Sequence, residues 1–137
     1  MKDTRTFSMI DFALQRHDTP AGPLFVAQRH GRIKKCFTQE TAIRYLAFFM
    51  TSKAFEHSGF RQRHPMVRID RDDREVWRDG ETTTEYLEAH QRCVRRLRRI
   101  LAKKREAKQW CEKWDAFHDR YVKERDDLQA SKPVGVR

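Results

Sequence analysis

The sequence predicts an α+β fold: one or two β-hairpins packed on a central helix, followed by a long C-terminal helix that is either coiled-coil-like or a helical hairpin. Three observations lead there. Residues 82–128 contain neither glycine nor proline and carry apolar residues at alternating spacings of four and three. Residues 38–57 repeat helical spacing more densely, with Ala42, Ile43, Leu46, Phe49, Met50 and Ala54 on one arc and Tyr45, Phe48 and Phe55 widening it. Around this second segment, short strand-like runs flank His30-Gly31 and Asp70–Asp73, both turn signals.

Taken in chain order, Ser8–His17 reads either as a short helix, with Ser8 and Asp11 as its capping pair and Phe7, Ile10 and Leu14 on one side, or as a strand. The loop Asp18–Pro23, with two prolines and a glycine, ends it. Leu24–Arg29 and Arg32–Phe37 form a hairpin about His30-Gly31, a two-residue connection of the kind that tight turns favour. Pairing Gln28 with Ile33, Val26 with Lys35 and Leu24 with Phe37 collects most large apolar residues on one face. Arg29, Arg32 and Lys34 then share the other face with Phe25, Ala27 and Cys36, a second basic surface.

The central helix follows from Thr38 or Gln39 to about His57, and Ser58-Gly59 supplies its stop. A basic loop, Arg61–His64, closes on Pro65, and Met66–Ile69 pairs with Arg74–Trp77 in a second hairpin. Thr82 and Glu85, just after Asp79-Gly80, make a capping box that starts the long helix, with Glu81, Glu85 and Glu88 at the positive end of its dipole. At 1.5 Å per residue an unbroken helix would extend roughly 70 Å, too far to be covered by so small a body. Either a second copy covers the distal half, or the helix folds back near Ala102–Gln109.

One internal echo cuts across this order. Glu40-Thr41, three residues and Tyr45-Leu46 recur as Glu81-Thr82, three residues and Tyr86-Leu87, which suggests a hairpin–helix unit used twice with the second helix prolonged. The expected organisation is a small α+β domain over 1–80, with a hairpin–helix unit at 23–58 and the second hairpin at 65–78. The long basic helix or helical hairpin takes 81–130, and 131–137 form a flexible tail.

Composition bounds the function. Thirty basic and twenty acidic residues among 137 give a formal charge of +10, the electrostatic footprint of a protein that meets a polyanion. The positive charge is concentrated. Arg92–Lys108 holds nine Lys or Arg residues against one acid, Glu106. Arg92, Arg96, Arg99 and Lys103 share one helix face at i, i+4, i+7 and i+11, with Arg95 and Arg98 beside them and Lys104, Arg105 and Lys108 following. That face lacks acids at i+4 in its central turns, so like-charge repulsion goes unanswered until a partner brings anions. A solvated face is the plainer account of a charge run, and the clustering is what weighs against it here.

The expectation drawn from this is non-enzymatic binding of DNA or RNA through phosphate contacts, with Arg29, Arg32 and Lys34 as a second contact. The alternative is a small adaptor or inhibitor of phage or mobile-element type, docking its basic helix on an acidic nucleic-acid-processing enzyme or CRISPR-type complex. A homodimer through the C-terminal helix accompanies either reading, with Leu97, Ile100, Trp110, Trp114, Phe117 and Tyr121 as interface residues. Trp110, Trp114, Phe117 and Tyr121 recur at i, i+4, i+7 and i+11, a spacing that suits helix packing better than base stacking.

No glycine-rich phosphate loop and no Ser/His/Asp or Cys/His arrangement can be placed, so neither an enzyme nor a cofactor is expected. His90 and Cys93 offer half a metal site at best, and Asp70, Asp72, Asp73 and Glu75 read as a solvated turn rather than a divalent-ion site, so no metal is expected. Three cysteines, Cys36, Cys93 and Cys111, with no leader or membrane-length apolar run, point to a reduced, cytoplasmic protein without a membrane partner.

Overall fold

The computed structural model describes residues 4–71 and 74–137. Its elements are α1 (Met9–Ala13), β1 (Leu14–Thr19), β2 (Gly22–Arg29), β3 (Arg32–Cys36), α2 (Gln39–Ser58), β4 (Val67–Arg71), β5 (Arg74–Arg78) and α3 (Thr84–Ala130), preceded by one turn of 3-10 helix at Thr4–Thr6. Strands β1, β2 and β3 form an antiparallel meander, and β4 and β5 form a separate two-stranded sheet. The fold is α+β, as the sequence predicts, and the C-terminal segment is one helix rather than a hairpin of two.

Both readings of Ser8–His17 hold, each for half of it. Asp11 Oδ2 accepts from the Ser8 N–H at 2.8 Å and starts α1, which stops after Ala13. From Leu14 the chain is extended and pairs with β2, Leu14 opposite Ala27 and Arg16 opposite Phe25. Five residues of helix have little stability of their own, so tertiary pairing takes over where a strand partner lies within reach.

The β2–β3 hairpin keeps the expected register, Gln28 opposite Ile33 and Val26 opposite Lys35, but ends at Cys36, leaving Phe37 outside the ladder. His30 and Gly31 both have positive φ, 52° and 76°, which is the type I′ geometry whose twist matches that of the strands. The face that meets α2 is the reverse of the one that the apolar residues suggest. Ala27 and Cys36 are buried in the core with Phe25 against them, whereas Ile33 and Phe37 are 62% and 75% exposed. Small side chains let the helix approach the sheet closely, and that outweighs the larger apolar area opposite. Val26 is buried on that opposite face, outside the main cluster.

Helix α2 is the centre of the core. Thr38 Oγ1 accepts from the Thr41 N–H at 3.3 Å at its start, and Gly59, at φ 76°, ends it in the left-handed conformation. Ala42, Ile43, Leu46, Ala47 and Phe49 are buried, and Leu46 is sealed completely. Burying such a leucine contributes about 1.5–3 kcal/mol. Its apolar residues occupy much of its circumference because the sheet covers one side and the first turns of α3 another. Val94 and Leu97 of α3 complete the cluster, and Tyr86 sets its ring edge-on to Phe48 and Phe55.

Helix α3 starts one residue later than expected. Thr83, not Thr82, caps it: its Oγ1 accepts from the Tyr86 N–H at 3.3 Å and donates to the Arg61 carbonyl at 2.9 Å. Thr82 forms a β-bridge with Arg63 instead. Flanking bonds, His64 N–H to the Glu81 carbonyl and Thr83 N–H to the Gln62 carbonyl, tie the two segments together. Gly80 is held so close to His64 that a Cβ there would lie 2.0 Å from the His64 carbonyl oxygen.

The second hairpin, β4–β5, forms in the expected place, Ile69 opposite Val76 and Arg68 opposite Trp77. Among the described residues it contributes none to the central cluster: Val67, Val76 and Trp77 are 59%, 45% and 59% exposed. At its tip, Asp72 and Asp73 lie outside the described residues. The proposed repeat has an unequal structural counterpart, since Leu46 and Tyr86 are buried while Tyr45 and Leu87 are exposed. The four matching residues therefore do not occupy equivalent environments.

The chain divides into two compact units, Phe7–Leu101 and Ala102–Arg137, the latter joined by the N-terminal residues up to Thr6. The first unit runs past the boundary expected at 80 because Tyr86, Val94 and Leu97 are needed to close its core. In the second unit the Lys104 ammonium donates to the Thr6 carbonyl at 2.9 Å, and Arg5 makes two bonds to Asp115, at 3.0 and 2.8 Å. Lys104, Cys111 and Asp115 share one helix face at i, i+7 and i+11, and Cys111 is buried there. Among the described residues no helix is long and apolar enough to cross a membrane.

Candidate functional site

Helix α3 sorts its cations by the direction each must face. Leu97, Val94 and Tyr86 fix the inner side, so Arg92, Arg95, Arg96 and Arg99 fall on the outer side of the same turns. All four are exposed, and none has an acidic partner among the described residues. Four guanidiniums within about two turns of helix create a field that a neighbouring carboxylate would ordinarily quench. Among the described residues of these turns none does so.

Arg98 belongs to a different group. It flanks the inner side and ion-pairs with Glu40 near the start of α2, where Arg44 also lies 3.7 Å from the same carboxylate. The Arg98 hydrogen bond holds the Glu40 carboxyl below the usual glutamate range, against the opposing effect of partial burial. This arginine is spent largely on packing two helices together. Next to it His90 Nε2 lies 3.1 Å from the Arg44 carbonyl, a second polar contact between the two helices.

In the unit Ala102–Arg137, Lys103, Arg105 and Lys108 are exposed, whereas Lys104 is half-buried in its contact with Thr6. Further along the same unit Trp110 and Trp114 stack with ring centroids 5.7 Å apart and planes 6° from parallel, and Phe117 follows at 5.9 Å from Trp114. These rings and Tyr121 are 48–61% exposed. Of the residues expected at a helix–helix interface, only Leu97 is buried within the chain. Ile100 is 38% exposed.

The cations of the first hairpin, Arg29, Arg32 and Lys34, lie on the sheet face that meets α2, with Arg29 and Arg32 paired next to the turn. Arg32 sets its guanidinium carbon 5.1 Å from the Phe48 ring centre and 5.4 Å from that of Phe49, and the Lys34 ammonium lies 5.1 Å above Tyr45. Cation–π contacts of this kind contribute about 0.5–1 kcal/mol at exposed sites and fix the direction of the charge. Arg32 nonetheless remains exposed.

Arg32 borders a concavity of about 440 Å³ between the β2–β3 turn and the C-terminal half of α2. Sequence reasoning did not assemble it. His30, Lys53, Phe55, Phe60 and Gln62 come from three segments of chain, and the docking of the hairpin on α2 brings them together. The one local hint was the aromatic Phe60 placed directly after the helix stop at Gly59.

Burial pushes the thiols of Cys36 and Cys93 above the ordinary cysteine range, which makes both poor nucleophiles. The Cys93 sulfur lies 4.0 Å from that of Met50, a packing contact. Among the described residues no group of three His, Cys, Asp or Glu side chains is placed to hold a metal ion. The side chains at the tip of the second hairpin, Asp70, Asp72 and Asp73, lie outside the described residues, and Glu75 is engaged with Arg68.

Comparison with protein-family models, with curated proteins and with solved structures finds no match to this chain.

Proposed function

We propose that this chain binds DNA or RNA without catalysis, by setting the arginines of α3 against the phosphate backbone. One observation carries the reading: Arg92, Arg95, Arg96 and Arg99 are exposed on the side of α3 opposite its buried residues, with no acidic partner among the described residues. A helix held by Val94 and Leu97 presents those charges at fixed spacing, so little conformational entropy opposes contact with a regular polyanion. Lys103, Arg105 and Lys108 extend the cation count along the same helix. Such contacts position a backbone and carry no base specificity.

The test is binding of nuclease-treated protein to labelled single- and double-stranded DNA and RNA at two salt concentrations. It is run beside a variant with Arg92, Arg95, Arg96 and Arg99 changed to Gln. Salt-sensitive binding that disappears in the variant is the expected result. Weak binding that the variant leaves unchanged overturns the reading.

A second reading rests on the exposed rings of Trp110, Trp114, Phe117 and Tyr121. An apolar stripe of this size on a helix is suited to another protein surface. The occupant we favour is a second copy of the chain, giving a homodimer through the C-terminal helix. An adaptor or inhibitor docked on an acidic nucleic-acid-processing complex would use the same stripe and the same cations. It would bind its target stoichiometrically with no nucleic acid present.

A further inference from the structure

We propose that the concavity beside Arg32 is a nucleotide pocket, taking one unstacked base and its phosphate from a single strand. The proposal rests on the reading of the chain as a nucleic-acid binder and adds to it a site separate from the arginines of α3.

The walls divide by chemistry. On one side Phe60, 67% exposed, leans toward Phe55 with ring centroids 6.0 Å apart and planes 49° from parallel. An exposed ring backed by a second is a platform on which a base can stack, and every base has a face suited to it. The Arg32 guanidinium also lines the concavity, its carbon within 5.1 Å of the Phe48 ring centre and 5.4 Å of that of Phe49, and it has no acidic partner among the described residues. Its remaining N–H groups match the bidentate geometry that a phosphate prefers.

Ser52 and Gln62, in the same lining, offer donors and acceptors to a base edge. Ser52 Oγ lies 2.9 Å from the Tyr86 hydroxyl, which fixes its position and leaves it hydrogen-bonding capacity. Lys53 and Glu56, which also line it, pair at 3.8 Å and largely cancel, so Arg32 is the lining arginine or lysine without an acidic partner among the described residues. A volume of about 440 Å³ is within the range of small-ligand sites and accommodates one nucleotide, not a duplex. Duplex bases are stacked and cannot reach Phe60, so the pocket discriminates in favour of single strands.

Two measurements on the full chain test this. In the first, adenosine 5′-monophosphate is titrated into isotope-labelled wild-type protein, with inorganic phosphate and adenosine as separate controls. The monophosphate is expected to shift the amide signals of Arg32, Ser52, Phe60 and Gln62 more than either control does. In the second, single-stranded and duplex oligonucleotides are bound by wild type, Phe60→Ala, Arg32→Gln and the variant with the α3 arginines changed to Gln. Phe60→Ala and Arg32→Gln are each expected to weaken single-strand binding about tenfold and to leave duplex binding within about twofold. The α3 variant is expected to weaken both.

The pocket is refuted if the monophosphate shifts none of these amides, or if both pocket variants leave single-strand binding unchanged. Failure of the α3 reading is distinct: the α3 variant would then bind like wild type while the pocket variants still lose the single strand. Both Arg32 and Phe60 are exposed, so the variants are expected to melt close to wild type, and the titration of the unmodified protein tests the site independently of them.

Discussion

The carboxylate of Glu40 and the guanidinium of Arg98, 58 positions apart in the chain, form an ion pair that links the first turn of α2 to α3. This contact divides the cations of the long helix into those that hold the fold and those that face outward. The two side chains are 44% and 50% exposed, so solvent screens the pair and its contribution is a few tenths to about 1 kcal/mol.

The pH dependence of this contribution has a definite sign. Because the folded state lowers the Glu40 carboxyl, the pair stabilises the protein fully above the unfolded glutamate value of about 4.3. That contribution is lost as pH falls through the lower folded value. Urea denaturation of wild type and Glu40→Gln should therefore show a difference at pH 7 that closes under more acidic conditions. A difference independent of pH would show that Glu40 acts by packing alone.

Arg96 and Arg98, two positions apart, should behave oppositely. Arg96→Gln is expected to leave stability within about 0.5 kcal/mol. It should also lower the slope of log affinity against log salt on duplex DNA by up to about 0.9, one phosphate contact. Arg98→Gln should cost up to about 1 kcal/mol of stability and change the salt slope less. Parallel titrations of the two variants decide the matter.

Leu97 and Ile100 offer a matching contrast for packing. Leu97 is 2% exposed, and Leu97→Ala should destabilise by about 2–5 kcal/mol. Ile100 is 38% exposed, and Ile100→Ala should cost well under that in dilute solution. Equal losses would mean that Ile100 is covered in the protein as studied, by a second copy or otherwise.

Gly80 and Gly31 resist substitution for different reasons. Gly31→Ala meets open space but forces a Cβ onto a residue at φ 76°, a strain of about 1 kcal/mol. Gly80→Ala drives its Cβ into the backbone of His64 and Pro65, which cannot swing away as a side chain could. Overpacking of this kind costs about 1–3 kcal/mol, so Gly80→Ala should be the more destabilising of the two in urea melts.

The aromatic stripe makes a prediction about association. Sedimentation velocity across a range of concentrations should reveal a dimer of wild-type protein that Trp114→Ala shifts toward monomer. The thermal melt of the monomer should change little, because Trp114 is 48% exposed. A wild-type chain that stays monomeric throughout would sink the homodimer reading.

Much of this protein was settled by its sequence alone. The start of α2 at Thr38 and its stop at Gly59, the turn at His30-Gly31 with its register, and the density of cations from Arg92 to Lys108 are local properties. They depend on residues a few positions apart, and helical or strand periodicity reports them directly. Tertiary structure decided which side of each element is used. Small side chains at Ala27 and Cys36, not the larger Ile33 and Phe37, were chosen for the α2 interface, since close approach of helix and sheet depends on the shape of both partners. Capping moved from Thr82 to Thr83 because Thr82 was drawn into a bridge with Arg63. Arg98 and Lys104 were set apart from their neighbours by Glu40 and Thr6, partners that lie 58 and 98 positions away. The pocket beside Arg32 was assembled in the same manner. A pattern of residues in one segment carries no record of the surface brought against it, and that surface determines which charges remain available.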